Sequence, residues 1–220
     1  ADELKNEIQK FVDTDEDLQK IEVAGPGFIN FYLSKEFYKK SISEILDKGN
    51  EFGKGERNKD KKILYEYTDP NPFKVFHIGH LMANTIGEAF SRLAEWNGAE
   101  VKRMCYGGDV GLHIGKTIWG MMQNKNAFPQ EGDRLTDKVK FVGASYVTGN
   151  NAYDADEQAK AEITDINKKI FEYLAGNAVD ENIEVCYKKG KEWSLQLFHE
   201  MYEFLGTKFD YEVFESEVAE

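Results

Sequence analysis

Apolar residues recur with two different periods along this chain, and the change of texture falls near residue 55. Leu4, Ile8 and Phe11 stand at helical spacing and predict a first amphipathic helix. Two alternating runs follow, Lys20-Ile21-Glu22-Val23-Ala24 and Phe28-Ile29-Asn30-Phe31-Tyr32-Leu33, with Gly25-Pro26-Gly27 between them. Period-two alternation around that break predicts an antiparallel hairpin with a turn looser than the two-residue kind. Ser34 supplies the side-chain oxygen of a helix cap. A helix is expected from it to about Asp47, with Phe37, Ile42, Ile45 and Leu46 on one side. The Gly- and charge-rich residues 48–61 read as a linker.

Beyond the linker, Ile63-Leu64-Tyr65-Glu66-Tyr67 reads as a short strand. Pro70 and Pro72 keep the stretch from Thr68 to Phe76 out of regular helix. A helix from about Gly79 to Trp96 is expected, with Ile86, Ala89, Phe90 and Leu93 at helical spacing and Asn97-Gly98 as its cap. Val101 to Tyr106 predicts a second strand, and Gly107-Gly108-Asp109-Val110-Gly111 turns into another helix. Strand, loop, helix, strand is a right-handed parallel crossover, in which ligands gather beyond the carboxyl ends of the strands. Both polar loops, 68–80 and 107–113, fall there. Residues 124–150 show no clear period and are expected to be irregular. A polar helix over Ala155 to Ala175 is expected to cover one edge, and a last helix to run from about Val185 to Leu205. Two clear parallel strands make an unfinished α/β sheet, so the chain reads as a fragment.

With 41% hydrophobic and 31% charged residues the balance is that of an ordinary globular protein. No apolar run approaches a membrane span and no signal-peptide pattern opens the chain. Cys105 and Cys186 form no CxxC pair, which argues against a cysteine-built zinc site or a disulfide framework and makes the reducing cytoplasm the expected compartment. The formal net charge of -12 argues against a broadly basic nucleic-acid surface. Lys59, Lys61 and Lys62 form one local basic run, read most simply as solvated surface.

Of four histidines, two stand three apart around a glycine in His77-Ile78-Gly79-His80, where a strand hands over to a helix. A helix N-terminus offers free amide donors and a positive dipole end, which suits a triphosphate. Two other readings stand beside that one: a metal pair, for which no third ligand is evident, and two polar residues at a helix start. No Gly-x4-Gly-Lys-Ser/Thr loop and no Gly-x-Gly-x-x-Gly turn competes for the crossover. Upstream, Glu66-Tyr67-Thr68-Asp69-Pro70-Asn71-Pro72-Phe73-Lys74 brings carboxylates, an amide and an ammonium into a loop stiffened by two prolines. Asp69 by itself reads as a solvated loop charge.

Glu66 through His80 resembles the first class I motif of the arginyl-tRNA synthetases. The resemblance continues through Gly108-Asp109-Val110-Gly111-Leu112-His113, Trp193-Ser194, Leu205-Gly206-Thr207-Lys208-Phe209-Asp210 and Phe214-Glu215-Ser216. The run Gly25-Pro26-Gly27-Phe28-Ile29-Asn30-Phe31 is similar to the end of that family's extra N-terminal domain. The fold this implies is a small α+β domain over residues 1–55, open to tRNA contact. The first half of a Rossmann-like parallel-sheet catalytic domain with a helical insertion follows over residues 56–220, incomplete at its C-terminus. The function implied is ATP-dependent activation of L-arginine and its transfer to tRNA(Arg), with Mg2+ accompanying ATP.

On the same resemblance, Lys74, His77, Gly79 and His80 are the expected ATP-binding set, with His77 and His80 catalytic. Glu66, Asn71, Asp109 and His113 are expected at the arginine. Asp109 is expected either to touch the substrate or to brace the first loop. No resident metal is expected. Asp69, Met82 and His113 depart from the family's usual small residue, Arg and Gln, which puts the substrate contacts near them in doubt. Alternatives are another class I synthetase or nucleotidyltransferase, or a non-catalytic module that binds nucleotide or tRNA. Residues 1–220 alone are expected to be unable to complete aminoacylation.

Overall fold

The computed structural model describes residues 2–12 and 15–218, with no side chains described at 11 and 12. The chain divides into two compact units, Ala1–Gly55 and Glu56–Glu220. In the first, α1 (Asp2–Val12) precedes a hairpin of β1 (Leu18–Ala24) and β2 (Phe28–Leu33), and α2 (Lys35–Lys48) closes the unit. The hairpin is antiparallel with Ile21 opposite Phe31, and its loop holds Gly25 and Gly27 at positive φ. Ser34 caps α2: its Oγ accepts from Phe37 N at 3.1 Å and donates to Glu16 O at 2.6 Å. The apolar stripe of α2 is open, with Ile42 and Leu46 57% and 75% exposed, so the hairpin does not supply it with a core.

In the second unit, β3 (Lys62–Glu66), β4 (Glu100–Gly107) and β5 (Tyr211–Phe214) form a parallel sheet in the order β3-β4-β5. Lys62 stands opposite Glu100 and Met104 opposite Tyr211, which brings the carboxyl ends of the three strands to one edge. This is an α/β fold, with a third strand beyond the two that the pattern predicts. The four residues Tyr211-Glu212-Val213-Phe214 include three strand formers but are too short a run to stand out, and pairing with β4 defines them.

α3 (Ile78–Trp96) connects β3 to β4. The stripe of Ile86, Phe90 and Leu93 lies open, at 50%, 56% and 59% exposure. The helix instead buries the small and polar Asn84, Ser91 and Ala94. Helical periodicity locates a stripe and is silent on whether this part of the chain covers it.

Between β4 and β5 the chain builds a helical layer of α4 (Leu112–Gln123), α5 (Leu135–Ala155), α6 (Glu157–Leu174) and α7 (Glu181–Leu205), and α8 (Glu215–Val218) ends the described chain. The core of this layer contains Phe73, Ile114, Ile118, Met121, Val142, Ile170 and Trp193. The long α7 spans two environments: Ile183, Cys186 and Trp193 sit in that core, while Phe198 and Tyr202 pack against Cys105 of β4.

Two expectations fail here. Residues 135–155 are a continuous helix rather than irregular, and α6 packs within the helical layer against α4 and α5. The α5 sequence is rich in Gly, Asn and Thr and weakly amphipathic, so its propensity is poor. Tertiary contact overrides this: a Cβ on Gly149 would stand 1.9 Å from the Lys116 carbonyl oxygen, and one on Gly120 would stand 2.0 Å from that of Ser145. The helices cross at backbone contact, which only glycine permits. Gly149→Ala is therefore expected to destabilise the protein by about 1–3 kcal/mol, read as a lower urea midpoint at unchanged slope. An unchanged midpoint would refute the close crossing.

Candidate active site

The loop from Thr68 to Phe73 carries three non-glycine residues in the left-handed region: Thr68 at φ 79°, Asp69 at φ 47° and Phe73 at φ 68°. Such conformations cost about 1–3 kcal/mol each and persist only where surrounding structure imposes them. Hydrogen bonds to four other elements do so here. Asn84 of α3 donates to Thr68 Oγ1 at 3.0 Å and accepts from Thr207 at 2.9 Å. The Asp69 carboxylate accepts from Tyr106 N at 2.7 Å, and Asn71 Oδ1 accepts from Gly108 N at 2.9 Å. Phe73 N donates to Ser194 Oγ at 2.9 Å, with the Phe73 ring fully buried. Asp69 is thus a brace for the end of β4 rather than a solvated charge. Burial, reinforced by Glu66, raises its pKa against the opposing Tyr106 hydrogen bond.

At the end of this loop, His77 is the N-cap of α3. Its Nδ1 accepts from Gly79 N at 3.1 Å, and His80 Nδ1 accepts from His77 N at 3.2 Å. The two rings stack at 3.8 Å between centroids and 18° between planes. A histidine in each role of a capping box fixes the tautomers: an Nδ1 that accepts leaves Nε2 to carry the proton. The capping bonds therefore leave Nε2 of each ring as its N–H donor. Gly79 is required by this stacking, because a Cβ there would lie 2.8 Å from His77 Cε1. Burial, with His77 and Lys74 nearby, lowers the His80 pKa and favours its neutral form. Lys74 lies 5.9 Å from the Tyr146 ring of α5.

Glu66, the last residue of β3, is exposed at the mouth of the site. His113, in the first turn of α4, places Nε2 3.2 Å from Gly108 O, and burial plus Lys74 lowers its pKa. With Nε2 donating to that carbonyl, Nδ1 is its free acceptor. Asp109 is turned inward and has no exposed surface. Its carboxylate accepts from Lys191 Nζ at 2.6 Å, Ser216 Oγ at 2.6 Å, Ser216 N at 2.9 Å and Tyr187 Oη at 3.1 Å. Burial alone would raise its pKa. The Lys191 and Ser216 bonds outweigh burial and hold it below the usual carboxylate value. Of the eight expected residues, seven gather around the loops after β3 and β4, and Asp109 lies beneath them. Tyr187, Lys191 and Ser194 of α7 were not foreseen as site residues. Their i, i+4, i+7 spacing along one helix face is the signal that could have found them.

Both cysteines are buried free thiols. Among the described residues no group of three or more His, Cys, Asp and Glu is arranged to hold a metal ion, and no helix is long and apolar enough to cross a membrane. A cavity of about 400 Å³ lined by Met121, Met122, Phe128, Val185 and Cys186 lies at the far end of α4 from His113.

A parallel sheet whose strand ends hold a His-x-Gly-His helix start is the architecture of a class I synthetase. Residues 41–216 match the family described as tRNA synthetases class I (R), catalytic domain, and residues 1–33 match the arginyl tRNA synthetase N terminal domain. The chain belongs to the arginyl-tRNA synthetase family. It is 34% identical over 160 residues to the cytoplasmic arginine–tRNA ligase of Gallus gallus, covering 72% of this chain and 23% of that protein. It is 30% identical over 218 residues to the arginine–tRNA ligase of Clostridium perfringens, covering 96% of this chain and 34% of that one. The chain thus spans about a quarter to a third of the length of the curated relatives it matches. Among solved structures, the Thermus thermophilus arginyl-tRNA synthetase shares the fold with a TM-score of 0.60 at 20% identity, over 96% of this chain and 32% of that one.

Removing the Lys74 charge by Lys74→Met is expected to raise the pKa of both His80 and His113, as followed by imidazole NMR titration. Unmoved titrations would show that Lys74 does not act on these rings. Asp109 gives a second expectation with a definite sign. A carboxyl held below its unfolded value of 3.8 adds stability above that pH and loses it as pH falls through the lower folded value. Asp109→Asn should flatten this acid limb in pH-dependent urea unfolding. An acid limb that survives unchanged would remove Asp109 as its source.

Proposed function

We propose that this chain is the adenylate-forming front of an enzyme that activates L-arginine with ATP and transfers it to tRNA(Arg), acting as part of a longer synthetase. The observation that supports the reading is the reciprocal cap of His77 and His80, which commits both Nδ1 atoms at the start of α3 and leaves both Nε2–H groups to donate. In this reaction a carboxylate oxygen of arginine attacks the α-phosphorus of ATP in line. The bond to the bridging oxygen breaks, and arginyl-adenylate and pyrophosphate form. The 3′-terminal hydroxyl of tRNA then attacks the acyl carbon and AMP leaves.

His77 and His80 donate hydrogen bonds to phosphate oxygens as charge builds there, and Lys74 supplies a positive charge beside them. Neither imidazole needs to move a proton, since the reaction depends on positioning and neutralisation of phosphate charge. Mg2+ enters with ATP as its counter-ion. Glu66 offers its exposed carboxylate to the cationic guanidinium. Asn71, whose Oδ1 is held by Gly108 N, has its Nδ2–H2 left to donate to the amino acid. His113 offers the free Nδ1 in place of a side-chain amide. Asp109 acts from beneath this surface. Residues 1–55 are assigned to tRNA contact, and the cytoplasm is the proposed compartment.

In a full-length enzyme carrying this chain, His77→Asn and His80→Asn are each expected to lower arginine-dependent ATP–pyrophosphate exchange at least a hundredfold, with the thermal midpoint close to that of the parent. Near-normal exchange in either variant would overturn the assignment. Exchange driven by a different amino acid in a panel of twenty would redirect it to another class I enzyme.

A further inference from the structure

We propose that Lys191 is a positioning residue for amino-acid binding: by clamping the buried Asp109 carboxylate it holds Gly108 in the place where that peptide orients the Asn71 amide. The inference rests on the functional reading above and assigns a role to the part of α7 that contacts Asp109.

The clamp has three layers. Lys191, with its side chain 23% exposed, reaches from α7 to Asp109 Oδ2 at 2.6 Å, and its ammonium sits 4.2 Å from the centre of the Phe214 ring. Asp109 in turn accepts from both N and Oγ of Ser216, so the turn after β4 and the turn after β5 are fastened to one carboxylate. Tyr187, one helical turn before Lys191, donates to Asp109 O at 3.2 Å as well as to the carboxylate. Gly108, the residue before Asp109, is then held at both its N–H and its carbonyl. Its N–H donates to Asn71 Oδ1 at 2.9 Å, and its carbonyl receives His113 Nε2 at 3.2 Å.

The consequence is one of orientation. A primary amide can present either its oxygen or its NH2 to a ligand, and the two faces differ in the sign of charge they offer. With Oδ1 committed to Gly108 N, Asn71 presents donors, which suits the α-carboxylate of an amino acid and not its ammonium. Without the Lys191 charge, Asp109 becomes a buried carboxylate with no counter-ion. Its turn must then move toward water or take up a proton. Either response shifts Gly108 and releases the Asn71 amide. The phosphate donors on His77 and His80 are set by their own cap and do not pass through this clamp. Loss of Lys191 therefore separates the two substrates.

The test uses arginine-dependent ATP–pyrophosphate exchange in the full-length enzyme, with Lys191→Met, the milder Ser216→Ala and the charge-keeping Lys191→Arg. Lys191→Met and Ser216→Ala are expected to raise KM for arginine about tenfold and about threefold, with KM for ATP within twofold of the parent. Lys191→Arg should recover most of the loss. A KM for ATP that rises in parallel, or a KM for arginine that stays at the parent value, overturns the proposal. Ser216→Ala keeps the Lys191–Asp109 pair and so remains informative if Lys191→Met does not fold. A parent enzyme without arginine-dependent exchange would instead remove the functional reading. The clamp is then judged by amide hydrogen exchange on this chain: protection at Gly108 should fall at least tenfold in Ser216→Ala while α4 core amides hold. Unchanged protection at Gly108 overturns it.

Discussion

The structure depends on a strained loop being held still. Thr68, Asp69 and Phe73 all occupy left-handed backbone conformations that L-residues avoid, in the short connection between β3 and the helix that His77 caps. No local preference of these residues produces that path, because two prolines restrict the loop without supplying positive φ. What supplies it is a set of hydrogen bonds from α3, β4, the turn after β4 and α7, together with burial of the Phe73 ring in the helical core. Strain held by distant elements is the usual sign of preorganisation. Here it delivers Asn71, Lys74 and the His77–His80 cap to one edge of the sheet.

This explains why a large helical layer stands between β4 and β5. The layer adds no strand, yet its longest helix carries Ser194 to the loop after β3 and Lys191 and Tyr187 to the turn after β4. Glycines make that layer dense: α4 and α5 cross at Gly120 and Gly149, and the Phe73 ring lies where a Cβ on Gly190 of α7 would stand. Packing at one end of the unit and side-chain orientation at the other are therefore one mechanical problem.

Electrostatics follows the same division. The chain carries a formal net charge of -12, yet the start of α3 combines a helix N-terminus with the Lys74 ammonium, and the His80 pKa is lowered there. A local positive field can exist in an acidic protein because charge acts over short, screened distances. Negative charge is likewise divided: Glu66 is exposed at the end of β3, while Asp109 is buried against a lysine.

Much of the site was legible in the sequence because its parts are local. The His77-Ile78-Gly79-His80 cap, the Pro-braced loop and the glycine turn after β4 are short runs whose chemistry depends on neighbours in the chain. The parallel crossover followed from apolar periodicity and loop composition. What the sequence left undecided involves partners far apart along it. Asp69 became a brace and Asp109 a buried anchor only when Tyr106, Lys191 and Ser216 came within reach. The Gly- and Asn-rich residues 135–155 became a helix only against α4, and Tyr211–Phe214 became a strand only beside β4. Local patterns express what a residue prefers. Burial and pairing between residues eighty or more positions apart, as for Lys191 and Asp109, exist only after the fold has formed.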